Sequence, residues 1–257
     1  MIGVTGATAG YAAALAELPL RARATSTASG AVVVVDGASG WPGRAVEAVR
    51  RGAVAVLVGN PVSTDPAEIG DLEAVAEGAP VVLDRPWLRA DLVADAAVAV
   101  PARQLTVDAA GAAPAMGELT RDAVGWLRVL GGGDLVLRTA AALPHGLIAL
   151  LEEPASGTTA ALTVSALVGR GRPRLRALAV GQTRIEVDLD AATDVRSVES
   201  SSADGVLRLP RRHESGERLA LRRAIDAALK GTLPADVREF RHDVLLAEGM
   251  RGTDKRG

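Results

Sequence analysis

The sequence predicts an α/β fold: a truncated parallel-sheet unit over residues 1–100, then an α+β unit over residues 101–257 with an open, mostly antiparallel sheet. Three observations carry this. Short β-branched strands alternate with alanine-rich helices through the first unit, the pattern of a parallel sheet covered by helices. The first strand runs straight into a glycine turn and a helix. In the second unit strands follow one another, and Arg184 to Asp190 alternates strictly between polar and apolar side chains, as a strand solvated on one face does.

Ile2 to Thr5 is a short strand, Gly6 to Gly10 a turn, and Tyr11 to Leu18 a helix that Pro19 stops. Arg21 to Ser29 holds another short strand. Ala31 to Val35 is an unbroken apolar run and reads as a strand buried on both faces. Asp36 to Gly43 is a glycine-rich loop, Arg44 to Arg51 a helix and Val54 to Val58 a further buried strand. Thr64 or Asp65 caps the next helix, with Pro66 in its first turn. That helix ends near Gly78, and Pro80 to Asp84 is a strand. In the second unit a helix over Leu119 to Leu130 precedes strands at Asp134 to Arg138, Gly146 to Leu151, Thr158 to Leu167 and Arg184 to Asp190. Helices over Glu217 to Lys230 and Pro234 to Met250 follow, and Arg251 to Gly257 is expected to fray.

A net charge of -2 gives no electrostatic basis for binding nucleic acid. With no cysteine, disulfides, thiolate metal sites and a cysteine nucleophile are excluded. His145, His213 and His242 lack ligand spacing, so no metal is expected. Glu186, Asp188 and Asp190 offer oxygen ligands on one strand face, but a solvated sheet face accounts for them. No apolar run is long enough to span a bilayer and no basic leader precedes one, so a cytoplasmic protein without membrane contact is the expectation.

From Ala31 to Arg89 the pieces come in a telling order. A valine strand leads to a helix ending Ala48-Val49-Arg50-Arg51-Gly52. The strand end Val56-Leu57-Val58-Gly59-Asn60-Pro61 follows, then Thr64-Asp65-Pro66-Ala67-Glu68 opens a helix. This order resembles the glucose-fructose oxidoreductase / inositol dehydrogenase (Gfo/Idh/MocA) family. The resemblance implies a Rossmann-like domain for NAD or NADP and a second domain whose open sheet builds dimers. It places Gly6, Thr8, Gly10, Asn60 and Pro61 at the cofactor. The chain departs from the family in three ways. Of G-x-G-x-x-G, Gly6 is kept, Thr8 and Tyr11 replace the second and third glycines, and Gly10 stands one place early. The link from the Arg21 strand to the Ala31 strand is too short for a crossover between parallel neighbours, so a helix is expected to be missing. With that helix goes part of the adenine side: no acidic residue lies between Glu17 and Asp36 to take a ribose hydroxyl, which leaves Arg21 and Arg23 either facing a 2′-phosphate or as exposed charges on an edge strand.

The third departure concerns chemistry. The family's Glu-Lys-Pro turn, whose lysine serves hydride transfer, reads Gly59-Asn60-Pro61 here, and no lysine precedes Lys230. An amide cannot carry a proton near neutral pH. The family's catalytic histidine is also absent from Leu119 to Trp126, where Arg121 and Asp122 read as an anion-binding pair or as a solvated helix face. Asn60, Asp122 and His145 are therefore the catalytic candidates, and Trp41 is a residue that lines a pocket or packs on a helix. Three functions follow. One is a degenerate oxidoreductase homologue without redox catalysis, acting as a scaffold or partner subunit, as a homodimer or a heterodimer with a related oxidoreductase. The second is an active NAD(P)-dependent oxidoreductase on a sugar-like or small hydroxylated substrate. The third is a small-molecule binding protein or sensor.

Overall fold

The computed structural model describes residues 1–96, 102–169 and 171–252. The chain runs β1 (Ile2–Thr5), α1 (Ala9–Ala16), β2 (Ala22–Ala24), β3 (Ala31–Asp36), α2 (Trp41–Arg50), β4 (Ala55–Gly59), α3 (Pro66–Ala76), β5 (Val81–Asp84) and α4 (Ala90–Ala96). It continues with β6 (Gln104–Gly111), α5 (Met116–Gly131), β7 (Val136–Leu143), β8 (Gly146–Glu153), β9 (Thr158–Ala166), β10 (Arg174–Val180) and β11 (Arg184–Asp190). It ends with β12 (Val195–Ser202), β13 (Gly205–Arg208), α6 (Gly216–Lys230) and α7 (Asp236–Gly252). The part of the expected tail beyond Gly252 lies outside the described residues, as does the boundary at residue 100.

Contacts divide the chain into two units. The first joins Met1–Pro86 to His213–Arg241, and the second holds Trp87–Arg212 and the chain from His242 on. The second division of the sequence reading, unbroken from 101 to 257, thus loses α6 to the first unit. The reason is apolar burial: Ala220, Leu221, Ala224 and Ile225 of α6 share one core with Val4, Val32 and Leu57.

In the first unit five parallel strands lie in the order β2-β1-β3-β4-β5. Helices α1 and α6 cover one face, while α2 packs on β3 and β4 and α3 packs on α2. Of the two capping candidates Thr64 and Asp65, it is Asp65 that caps α3, accepting the Ala67 N–H at 2.8 Å. Trp41 is wholly buried. Its indole donates to the Val62 carbonyl at 3.0 Å, and its ring meets Phe240 edge-on at 5.5 Å. Trp41 is therefore core packing, not a pocket wall.

No helix stands between β2 and β3, as expected, but the premise that these strands are neighbours needs correction. β2 and β3 are not neighbours, because β1 lies between them. The chain from Thr25 to Gly30 crosses β1 directly. Gly3 makes this crossing close: a Cβ there would lie 2.8 Å from the Thr25 methyl carbon. The Thr25 N–H holds one end to the Val4 carbonyl at 2.9 Å, and the Gly30 N–H holds the other to the Gly52 carbonyl at 2.8 Å.

The second unit is an eight-stranded sheet in the order β13-β12-β11-β10-β6-β9-β8-β7. Among the described residues only β6 and β9 of this sheet pair in parallel, so the sheet is mostly antiparallel. α5 buries Leu119, Ala123 and Leu127 in one core with Leu105, Val107 and Val164 of the sheet. On β10 and β11 the polar side chains form a ladder, with Arg174 on Asp188 and Arg176 and Arg184 on Glu186. Glu186 and Asp188 thus lie on a half-exposed face where arginines pair with them. Among the described residues no helix is long and apolar enough to cross a membrane.

Candidate functional site

In an open parallel sheet, ligands bind outside the carboxyl ends of the strands where the strand order reverses. In the first unit that point lies between β1 and β3. Two glycines close the backbone there. Gly6 has φ 75° and a Cβ on it would lie 2.4 Å from the Val34 carbonyl oxygen. A Cβ on Gly37, just past β3, would lie 2.3 Å from the Gly59 carbonyl oxygen. Neither position admits a side chain. Arg44 of α2 closes the loop after β3 by donating to the carbonyls of Asp36, Ala38 and Ser39 at 2.8–2.9 Å.

Gly6, Thr8 and Gly10 are exposed. Thr8 is the N-cap of α1 and makes no side-chain capping bond. The first helical bond is from the Ala12 N–H to the Thr8 carbonyl at 2.8 Å, so the amides of Ala9, Gly10 and Tyr11 head the helix. This is the geometry that holds an anion. A carboxylate already stands beside it, since a Cβ on Gly10 would lie 3.1 Å from a Glu217 carboxylate oxygen.

Tyr11 fills the third glycine position and is buried. Its hydroxyl donates to Asp84 at 2.6 Å. A Cβ on Gly59 would lie 2.7 Å from its ring, so the room lost on α1 is returned at the end of β4. Burial, then the Asp84 charge, raises the Tyr11 phenol above its ordinary range. It therefore stays protonated and is no base.

Asn60 is exposed, in the left-handed region at φ 48°, and its N–H donates to the Asp84 carbonyl at 3.0 Å. Pro61 behind it is buried. Asparagine is one of the few residues that tolerates this conformation, so the position is one of turn chemistry. Arg21 is not a free charge: it pairs with Asp226 of α6, and that hydrogen bond holds the Asp226 carboxyl below its ordinary range. Arg23 is exposed on the edge strand β2.

The structure corrects the reading of Arg121 and Asp122 as a solvated face. Both are fully buried, and the Arg121 guanidinium donates to Asp122 at 2.8 Å. Asp122 is sealed from solvent, in a position unsuited to exchanging protons with a substrate. His145 sits exposed in the two-residue turn between β7 and β8, where its carbonyl accepts the Ala166 N–H at 2.7 Å. The structure thus brings Gly6, Thr8 and Gly10 to one turn, and sets Asn60 and Pro61 in the loop after β4. Asp122 and His145 belong to the other unit. The sequence reading missed Asp84, Glu217 and the Arg44 clamp. Only the pairing of the chain's single tyrosine with a glycine in place of the family's glutamate hinted at the first. Among the described residues no cluster of three His, Asp or Glu could hold a metal.

In sequence, no protein family and no curated protein matches the chain. Solved structures do. A UDP-N-acetylglucosamine 3-dehydrogenase from Acidithiobacillus ferrooxidans superimposes with a TM-score of 0.75 at 16% identity, over 98% of this chain and 96% of that one. A 3-ketoreductase from Actinomadura kijaniata, solved with NADP, superimposes with a TM-score of 0.61 at 20% identity, over 86% of this chain and 76% of that one. The chain has the fold of the Gfo/Idh/MocA-like NAD(P)-dependent oxidoreductases.

Proposed function

We propose that this protein is a degenerate oxidoreductase homologue that has given up redox catalysis and acts as a scaffold or partner subunit. One observation carries the reading. The turn after β4, where the resemblance implies a lysine, holds an exposed left-handed Asn60. Asp84, whose carbonyl accepts the Asn60 N–H, has its carboxylate bonded to Tyr11. The subunit reading extends to assembly. Ile148 and Leu150 of β8 stand half exposed on the same sheet, with β6 and β9 between them and the ladder of charges, a surface suited to a homodimer or to a heterodimer with a related oxidoreductase.

A second reading rests on the Gly6–Gly10 turn, which is open to solvent and keeps the free amides of a helix start. A dinucleotide phosphate fits those amides and the Gly6 backbone, while Thr8 and the Glu217 carboxylate weigh against it. On this reading the chain binds NAD or NADP and either acts on a sugar-like substrate or senses a small molecule. The bound cofactor would supply hydride chemistry, and Asn60 would only orient a hydroxyl by hydrogen bonding. Calorimetric titration with NAD⁺, NADH, NADP⁺ and NADPH separates the readings. No heat from a folded protein supports the scaffold. Micromolar binding of any of the four, with turnover restored by Asn60→Lys, supports the enzyme ancestry and sinks the pure scaffold.

A further inference from the structure

The segment that crosses β1 builds a pocket of its own. Arg23, Thr25, Thr27 and Ser29, every second residue from the edge strand through the crossing, line a cavity of about 340 Å³ whose apolar wall includes Ile2 and Leu229. The intervening Ala28 turns the other way, into a groove along α2. Among the described residues no carboxylate lines the cavity. Arg23 makes no hydrogen bond or ion pair among the described residues, whereas Arg21, two residues earlier, is held by Asp226. The Thr25 hydroxyl oxygen accepts the Thr27 N–H at 3.3 Å, which leaves its proton free to donate.

The cavity is set by the crossing, not by the crevice at the strand ends. Its walls include Met1, Ile2 and Gly3 at the start of β1 and Gly30 and Ala31 at the start of β3. The glycine turn Gly6–Gly10 follows the opposite end of β1. One guanidinium with three hydroxyls in a carboxylate-free pocket is the donor set that phosphate oxygens take. The apolar wall gives a place for the carbon skeleton of an ester, and the volume lies at the lower end of small-ligand sites. We propose that this pocket is a binding site for a phosphate monoester of a small sugar, with Arg23 its anchoring charge.

The test is a two-dimensional amide NMR titration of the full chain with inorganic phosphate, ribose 5-phosphate and ribose. The expected result is saturable shifts of the Thr25 to Gly30 amides with ribose 5-phosphate, weaker ones with phosphate and none with ribose. Arg23→Gln should raise the ribose 5-phosphate Kd about tenfold or more, the usual loss for one charged hydrogen bond. Because Arg23 is exposed and unbonded, that variant should melt with the wild type, and Thr27→Val provides a second, smaller weakening. Shifts that do not saturate, or that are unchanged in Arg23→Gln, overturn the proposal. So do shifts centred on Gly6 to Gly10, which would put the phosphate at the head of α1, and so does binding of inorganic phosphate without the ester.

Discussion

The Tyr11 hydroxyl donates to the Asp84 carboxylate at 2.6 Å, tying the first turn of α1 to the end of β5. The Tyr11 ring also lies where a Gly59 side chain would be. One aromatic residue thus replaces a helix glycine and is accommodated by a strand glycine. Tyr11→Phe should cost about 1.5–3 kcal/mol, because the lost bond goes to a charged acceptor. Gly59→Ala should cost about 1–3 kcal/mol through overpacking against the ring. Urea unfolding of both variants checks this, and a neutral Gly59→Ala would refute the packing account.

Asn60 should behave as a turn residue. Asn60→Gly should be stability-neutral within about 0.5 kcal/mol, since glycine accepts positive φ. Asn60→Lys should lose about 1 kcal/mol, because a long L side chain resists the left-handed region. Thermal melts of the two variants side by side decide it. Equal stability would mean that the turn relaxes to a right-handed form.

The crossing over β1 should be coupled to Gly3. Gly3→Ala should destabilise the protein by about 1–2 kcal/mol through contact with the Thr25 methyl. Thr25→Ala removes that methyl, so the double variant should recover most of the loss. A double-mutant cycle with no interaction energy would show that the crossing segment yields without strain.

Two carboxylates should give pH dependences of opposite sign. Asp226 lies below its ordinary range because Arg21 donates to it. Its contribution is complete above the unfolded carboxylate value of about 3.9. It fades as pH falls toward the lower folded value, because the unfolded chain takes up the proton first. The melting difference between wild type and Arg21→Gln should therefore shrink below about pH 4. Burial, then the Asp122 charge, raises Glu118. Its folded form holds the proton longer, so stability is lost as pH rises through the ordinary range to the raised value. Glu118→Gln should stabilise the protein at neutral pH by about 0.5 kcal/mol and have no effect in acid.

Removing one partner of the buried Arg121–Asp122 pair should cost about 3–5 kcal/mol, because a desolvated charge is left behind. Asp122→Ala followed by chemical denaturation measures it. A surface-sized loss would return the pair to solvent.

The sequence by itself determined most of the strands, the parallel-then-antiparallel order and the absence of a proton carrier at Asn60. These follow from local side-chain chemistry: β-branched runs, period-two alternation, an amide where a lysine would stand. It left β6, β10, β12 and β13 unassigned. Val195 to Ser202 is mostly polar, and its strand character comes from pairing with β11 rather than from its own residues. Only the tertiary structure decided the rest. That β1 lies between β2 and β3 depends on Gly3 yielding space to a residue far along the chain. That α6 joins the first core depends on apolar residues some two hundred positions from β1. The fate of Arg121 and Asp122 was likewise invisible locally. A charged pair on a helix looks the same in sequence whether it faces water or is buried, and long-range packing alone sets which.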